Sequence, residues 1–302
     1  MKKKIRFIVI TLLILFILIV GAIMLLHGRN IGVLNPKGVI AQKEMGLIIT
    51  VCLLISIVVV PLFVLTIYTA YKYREENTSA KYLPEWDSDP ILEIIWWAIP
   101  ASIILVLSII VWHTSYTLNY YRPINSKVTP VTIQVVSLDW KWLFIYPKER
   151  IASVNFIEIP KNTPIDFDLT SDSVMNAFWV PNLAGQIMTM PGMITQLHIL
   201  AYDDGIYPGL SSNISGAGFA GMRFAVQVSS SKNFNRWVKS TQKSGNILTM
   251  QSYKQLEKPS SYNPNKLYSL KDDSLFNSIV MKYLIPPTEK NFMLSDSRGY
   301  IE

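Results

Sequence analysis

The chain has 302 residues, of which 50% are hydrophobic and only 16% are charged. Soluble domains carry about 25% charged residues, so the deficit indicates membrane segments. The net charge is +7, but part of it comes from Lys2, Lys3, Lys4 and Arg6, which directly precede an apolar run. A basic cluster in this place sets membrane orientation. Because the sequence also lacks a later basic stripe with interleaved aromatic residues, no nucleic-acid partner is expected. The lone cysteine, Cys52, excludes an intrachain disulfide and metal sites built on cysteine pairs.

The first apolar run, residues 7–26, reads "FIVITLLILFILIVGAIMLL". Twenty apolar residues are enough to cross a hydrocarbon core of about 30 Å. Residues 1–28 are therefore predicted to be an N-terminal signal anchor or a signal peptide. The length favours an uncleaved anchor, since the apolar region of a signal peptide usually has about 7–15 residues, but a cleaved signal remains open.

Two further membrane spans are predicted, at residues 46–71 and 93–117. Aromatic residues mark their ends, with Trp96 and Trp97 at the start of the last span and Trp112 near its end, as is typical of interfacial belts. The basic N-terminus is expected to stay in the cytoplasm. This orientation makes residues 29–45 an outer segment, residues 72–92 a cytoplasmic loop, and everything after the last span external.

Residues 126–229 have the character of an exported all-β domain. Short β-branched and aromatic stretches such as "PVTIQVVSLDWKW", "PIDFDLT", "ITQLHILA" and "MRFAVQVSS" are bounded by Pro, Gly, Asn or Asp, which predicts a sandwich or barrel. From residue 230 to 302 the pattern becomes helical. Phe234, Trp237 and Val238 share one helical face, and a second face is formed by Leu275, Phe276, Ile279, Val280 and Tyr283.

A glycine motif interrupts the last predicted strands. Residues 216–221, "GAGFAG", match the spacing G-x-G-x-x-G of a dinucleotide-binding turn. That turn must follow a strand and open a helix, whereas the residues that follow, "MRFAVQV", alternate like a strand. The glycines are instead expected to permit a positive φ or a close backbone approach.

Five stretches in this order, "EIIWWAIPA", "SLDWKWLFIYP", "SVMNAFWVPNLAG", "MPGMITQL" and the glycine loop, resemble subunit II of the haem–copper terminal oxidases. The resemblance covers roughly residues 30–285. It implies a membrane α-helical hairpin followed by an all-β cupredoxin-like barrel, here with a short helical C-terminal extension.

In the cytochrome c-oxidising branch of that family, the barrel binds a dinuclear copper centre through thiolates, imidazoles and a thioether, donors that suit copper. The corresponding positions here are Asn176, Ser211, Asn213, Ser215, Phe219 and Met222. Asn213 stands where the family has the residue whose backbone carbonyl is a copper ligand. Only the methionine is retained, and His27, His113 and His198 are not placed to rescue the site. The sequence therefore predicts no metal site, no cofactor and no catalytic residue in this chain, with Met222 as a core side chain.

This pattern of loss resembles the quinol-oxidising branch, the cytochrome bo-type ubiquinol oxidases, in which quinol delivers electrons directly to subunit I. The resemblance implies a proton-translocating complex that oxidises ubiquinol and reduces O₂ to water in the bacterial plasma membrane. Its haems and copper belong to subunit I, and this chain's partners are subunit I, the other oxidase subunits, quinol through the complex, and membrane lipid. Within the family, a copper-containing cytochrome c oxidase subunit is the alternative, and outside it a membrane-anchored periplasmic binding or assembly module.

Three smaller expectations complete the analysis. Glu93 matches a glutamate that marks the entrance of a proton pathway into subunit I, although a carboxylate at a helix start also favours the helix dipole. "DWKW", residues 139–142, matches an aromatic relay that has no copper to serve here, so Trp140 and Trp142 are expected to pack in the barrel or against subunit I, with Asp139 and Lys141 as a local ion pair. The segment before "NPKG" lacks the cysteine that is acylated in relatives, so no lipid anchor is expected.

Overall fold

The computed structural model describes residues 31–80, 88–119 and 121–284. These residues form two compact units, one that contains two long helices and one that is rich in β-structure and includes residues 32–44. The predicted first span, residues 7–26, lies outside the described residues, as does part of the predicted cytoplasmic loop.

The two long helices are α1, Val39–Lys72, and α2, Pro90–Thr117. Both are long and apolar enough to cross a membrane. Ala41 is the only buried residue in α1, and α2 has none. A long helix that is apolar on all sides and whose apolar stretch is not buried within the protein needs apolar surroundings, which supports the prediction of two membrane helices in this region.

The start of α2 is set by its capping residues. The side chain of Asp89 accepts hydrogen bonds from the backbone N–H groups of Ile91 (3.0 Å) and Leu92 (3.2 Å), and Pro90 occupies the first turn. Both features stabilise a helix N-terminus. The helix therefore begins before residue 93, the predicted start of the span.

Residues 32–44, called here the docked segment, hydrogen-bond to the β-rich domain through their backbone. Lys37 N donates to Asn182 O at 2.7 Å and Val39 N donates to Leu200 O at 3.2 Å. The Lys37 ammonium lies 3.0 Å from the Asp203 carboxylate. Helix α1 consequently begins at Val39, within what the sequence suggested was a plain outer segment, because backbone pairing of this kind leaves little trace in composition.

Twelve strands form two sheets in the described part of the chain. They are β1 Val131–Leu138, β2 Lys141–Tyr146, β3 Ile151–Val154, β4 Phe156–Pro160, β5 Ile165–Ser171, β6 Asn176–Trp179, β7 Ile187–Thr189, β8 Thr195–Ile199, β9 Gly205–Ser211, β10 Arg223–Ser229, β11 Ile247–Leu248 and β12 Lys266–Leu270. One sheet has the order β11-β12-β3-β2-β1-β5-β8 and the other has the order β4-β10-β9-β6-β7. The second order sets β6, β9 and β10 side by side, and these strands carry the candidate site.

The seven-stranded sheet is covered on both faces. In β2, Trp142, Phe144 and Tyr146 belong to a core shared with the five-stranded sheet. Leu143 and Ile145 point to the opposite face, into a second core that the C-terminal extension completes. Since successive side chains of a strand alternate between faces, the unbroken burial of β2 follows from this three-layer arrangement.

The C-terminal extension contains helices α3 Ser231–Gln242, α4 Met250–Leu256 and α5 Leu275–Met281. The predicted helical faces are largely confirmed, since the buried residues of α3 and α5 include Phe234, Val238, Leu275, Phe276, Ile279 and Val280. The extension also contributes β11 and β12, which the sequence analysis did not predict. Strand β12 pairs with β3, so the extension is built into the larger sheet.

Candidate functional site

The glycine motif lies in the loop between β9 and β10. Residues 219–221 form a single 3₁₀ turn, and the next element is the strand β10. A dinucleotide site would need a longer helix at this point, whose N-terminus binds the pyrophosphate. The structure therefore supports the rejection of a nucleotide site.

The glycines allow this loop to close over Trp140. Gly216 has a φ of +112°, and a Cβ atom on Gly218 would lie 2.3 Å from Cδ2 of Trp140. The indole N–H of Trp140 donates to Ser215 O at 3.1 Å. Trp140 itself has a φ of 61°, a left-handed conformation that is uncommon outside glycine. The expected positive φ and close approach are thus both present, and Trp140 packs under the loop.

Three of the positions that match copper ligands are joined by hydrogen bonds. Asn176 and Ser211 are 1% and 2% exposed, and the Ser211 hydroxyl donates to Asn176 Oδ1 at 3.1 Å. Asn176 Nδ2 in turn donates to Val174 O at 3.0 Å, and Asn213 Nδ2 donates to Met175 O at 2.8 Å. These side chains therefore use their polar atoms to fix one loop against another.

The remaining three positions do not form a polar site. Met222 is 1% exposed and belongs to the core between the sheets, as predicted. Phe219 is half-buried and offers no ligand atom. The Ser215 hydroxyl is buried without a hydrogen-bond partner among the described residues. The structure thus brings Asn176, Ser211 and Asn213 together and leaves the other positions to packing.

The residues at this loop do not fit a dinuclear copper centre. Such a centre needs thiolates and imidazoles, whereas the polar groups here are neutral hydroxyls and amides, of which those of Ser211 and Asn176 are bonded to each other. His198 lies on β8, where its Nδ1 is 2.6 Å from Asp166 Oδ1, and His113 lies in α2. Among the described residues, no group of three or more His, Cys, Asp and Glu side chains could hold a metal ion.

The "DWKW" stretch divides into two environments. Trp142 is fully buried, with its ring centroid 5.4 Å from that of Phe178 and 5.7 Å from that of Phe224. The expected ion pair between Asp139 and Lys141 is wrong. The Lys141 ammonium donates instead to Lys258 O at 2.7 Å and to Ser260 Oγ at 2.6 Å, because the extension, which the prediction left out, covers this end of β2.

Glu93 lies in the first turn of α2 and is exposed. Its backbone N–H donates to Asp89 O at 3.0 Å. This is the position where a carboxylate interacts favourably with the helix dipole. A role for Glu93 in proton uptake stays a prediction.

The sequence analysis missed a buried carboxylate, Asp172, directly after β5. Its side chain has no exposed surface and lies 2.8 Å from the Lys282 ammonium. It also accepts hydrogen bonds from the hydroxyls of Tyr253 and Tyr283, the latter at 2.7 Å. Burial and the hydrogen bond to Asp172 raise the pKa of Tyr283 to about 12. Asp172 thereby ties the extension to the loop that leads to Asn176.

Comparison with known sequence families gives the class of the β-rich domain. Residues 111–229 match the family described as "Cytochrome C oxidase subunit II, periplasmic domain". Residues 242–286 match a second family, described as "COX Aromatic Rich Motif". The first match and the two-sheet architecture define a cupredoxin-like subunit II domain, and the second match spans most of the described extension.

Individual relatives narrow the class. The chain is 46% identical over 260 residues to cytochrome bo(3) ubiquinol oxidase subunit 2 of Pseudomonas aeruginosa, covering 86% of this chain and 78% of the relative. It is 44% identical to ubiquinol oxidase subunit 2 of Acetobacter aceti, covering 86% and 85%. The chain belongs to the ubiquinol oxidase subunit 2 family and is a membrane-anchored protein. Among solved structures, the periplasmic domain of cytochrome oxidase subunit II of Bradyrhizobium japonicum is 26% identical, with a TM-score of 0.36, over 39% of this chain and 96% of that one.

Proposed function

We propose that this chain is the subunit II of a proton-translocating oxidase that oxidises ubiquinol and reduces O₂ to water, and that it holds no redox centre of its own. The observation that carries the proposal is the loop beside Asn176. At positions where copper ligands would stand, Ser211 donates to Asn176 and Asn213 donates to Met175 O, in a chain whose relatives are named ubiquinol oxidase subunits. Electrons from quinol then pass directly to the haem-bearing subunit I, which holds the haems and copper.

The role of the chain in the complex follows from its two units. The exposed apolar helices α1 and α2 suit lipid and the membrane helices of subunit I. The β-rich domain caps the outer face of subunit I and stabilises it. Lys2, Lys3, Lys4 and Arg6 keep the N-terminus inside. The span predicted at residues 7–26, together with α1 and α2, then gives three crossings of the bacterial inner membrane and leaves the β-rich domain on the periplasmic side.

The proposal is tested by purifying the tagged full-length chain from membranes in mild detergent. We expect a haem-bearing subunit to co-purify. After this chain is separated from the complex, we expect less than stoichiometric copper and no mixed-valence copper EPR signal. A chain that purifies alone would favour the binding-module alternative, and a mixed-valence signal from the separated chain would favour a cytochrome c oxidase subunit.

Proton uptake through Glu93 is tested by Glu93→Gln. The amide does not ionise near neutral pH and cannot take up and release a proton as a carboxylate does, so we expect oxidase turnover and proton uptake to fall by about tenfold, equivalent to about 1.4 kcal/mol in the barrier. Oxygen consumption and pH changes in proteoliposomes measure both quantities.

The control is Glu75→Gln, which removes an exposed carboxylate just beyond the other helix. We expect this control to retain full turnover, with both variants assembled to the same haem content. Unchanged turnover in Glu93→Gln would refute the role and leave the helix dipole as its explanation.

A further inference from the structure

A cavity of about 280 Å³ lies between the seven-stranded sheet and the C-terminal extension, away from the glycine loop. Its floor is formed by the start of β2, the end of β3 and the middle of β12, which contribute Lys141, Val154 and Tyr268. The segment that follows α4 supplies the facing wall, including Ser260 and Asn263. Nothing in the proposed function uses this space.

A buried positive charge lies at one side of the cavity. Lys141 is only 2% exposed, and its ammonium donates to two neutral oxygens at short range, with a third contact of 3.5 Å to Asp139 O. No carboxylate among the described residues lies within 4 Å of it. Burial lowers the pKa of Lys141, and Asp139 offsets this only partly from longer range. Burial of a charge without a close partner is costly, so an anion in the cavity would stabilise this arrangement.

The rest of the lining has the same preference. Lys266 supplies a second ammonium, and no aspartate or glutamate lines the cavity. Tyr268 is 9% exposed, and burial raises the pKa of its hydroxyl. That hydroxyl makes no hydrogen bond within the described ranges and remains accessible to solvent, so it can donate to a ligand in the cavity. Tyr268 is thus a free donor beside two lysines.

The charged side chains on neighbouring elements leave the surroundings of the cavity with a net positive charge. Lys254 and Lys258 lie on the same part of the extension as the cavity wall. Glu257, between them, is bound to Lys282. Asp139 is the acidic group that acts on Lys141.

We propose that this cavity binds a phosphate group, either as free inorganic phosphate or as the phosphodiester of a lipid headgroup. A phosphate accepts several charge-assisted hydrogen bonds at once, which matches the ammonium of Lys266 and the hydroxyl of Tyr268, while the buried charge of Lys141 attracts the anion without a direct hydrogen bond. The bound anion neutralises Lys141 and links β12 to the segment at residues 258–263, so it fastens the extension to the sheet.

The test is calorimetric titration of the full-length chain, in a detergent without phosphate, with inorganic phosphate and with the phosphodiester glycerophosphoglycerol at constant ionic strength. Tighter binding of glycerophosphoglycerol would assign the site to a lipid headgroup, and equal or tighter binding of inorganic phosphate would assign it to the free ion. Both outcomes support the proposal. Binding of both probes weaker than about 10 mM would overturn it.

Variants locate the binding. Lys266→Met and Tyr268→Phe leave the contacts of Lys141 in place, and we expect each to weaken binding by about tenfold, the loss of one charge-assisted or buried contact. The matched control is Lys239→Met on the exposed face of α3, which changes the net charge equally. If the control weakens binding as much as Lys266→Met, the attraction is non-specific and the site is refuted.

Discussion

Replacing Gly218 with alanine is expected to lower the free energy of unfolding of the β-rich domain by about 3 kcal/mol, the upper part of the usual range for overpacking a filled site. The new methyl group would lie 2.3 Å from Cδ2 of Trp140 and 2.5 Å from its Cε3 and Cγ atoms. The indole cannot retreat freely, because its N–H is bonded to Ser215 O. Denaturant unfolding followed by tryptophan fluorescence measures the change.

Gly245→Ala is the matched control, since a Cβ atom there meets nothing within 4 Å. We expect it to change stability by less than about 0.5 kcal/mol, as is usual for surface substitutions. A second check is Gly218→Ala in a Trp140→Leu background, where the smaller side chain should relieve most of the penalty. Equal losses in both backgrounds would show that the Gly218 and Trp140 contact is not the cause.

Removal of the carboxylate in Asp172→Ala is expected to loosen the C-terminal extension. It deprives Lys282, Tyr253 and Tyr283 of their shared acceptor. Breaking a fully buried ion pair lowers the free energy of unfolding by about 3–5 kcal/mol. Because the Lys282 side chain is 37% exposed and also contacts Glu257, we expect a smaller loss of about 2–3 kcal/mol here. Faster hydrogen–deuterium exchange and earlier proteolytic cleavage within residues 242–284 are the measurable results.

The control for this variant is Asp273→Ala, which removes an exposed contact of 3.5 Å with Arg150. Exposed ion pairs contribute at most about 1 kcal/mol, so the extension should exchange and be cleaved as in the wild type. Equal loosening in the two variants would contradict the assignment of Asp172 as the residue that holds the extension.

Local pattern predicted most of the elements. The membrane helices show in uninterrupted apolar runs, and strands such as β5 and β10 show in alternation between turn residues. Strand β2, "KWLFIY", holds a further signal, because a run of apolar residues such as its last five, without alternation, is typical of a strand buried on both faces. The apolar run in β2 could therefore have predicted that a further layer, here the C-terminal extension, covers the second face of the sheet.

Other features depend on partners far away in the sequence. Asp172 meets Tyr253 and Lys282 across 81 and 110 residues, and no local pattern marks an aspartate after a strand as buried. Lys141 was expected to pair with its neighbour Asp139, yet its acceptors lie 117 and 119 residues later. At the glycine loop, the strand pattern that follows the motif excluded a nucleotide site, and the identity of the residues at the ligand positions indicated the loss of copper. The hydrogen bonds that join Ser211 to Asn176 and Asn213 to Met175 O became visible only in the structure.

The docked segment, residues 32–44, has a consequence for the order of folding. Asn182 holds Asn35 O across 147 residues of chain, and closing a loop of that length costs about 4 kcal/mol of chain entropy. No contact of the segment can repay this until the turn near Asn182 and the strands around it exist, so the N-terminal part of the protein reaches its final place only after the β-domain has formed. Assembly of the subunit is therefore limited by its most distant contacts. If the β-domain folds slowly, the docking of residues 32–44 is delayed, although these residues are synthesised long before the β-domain.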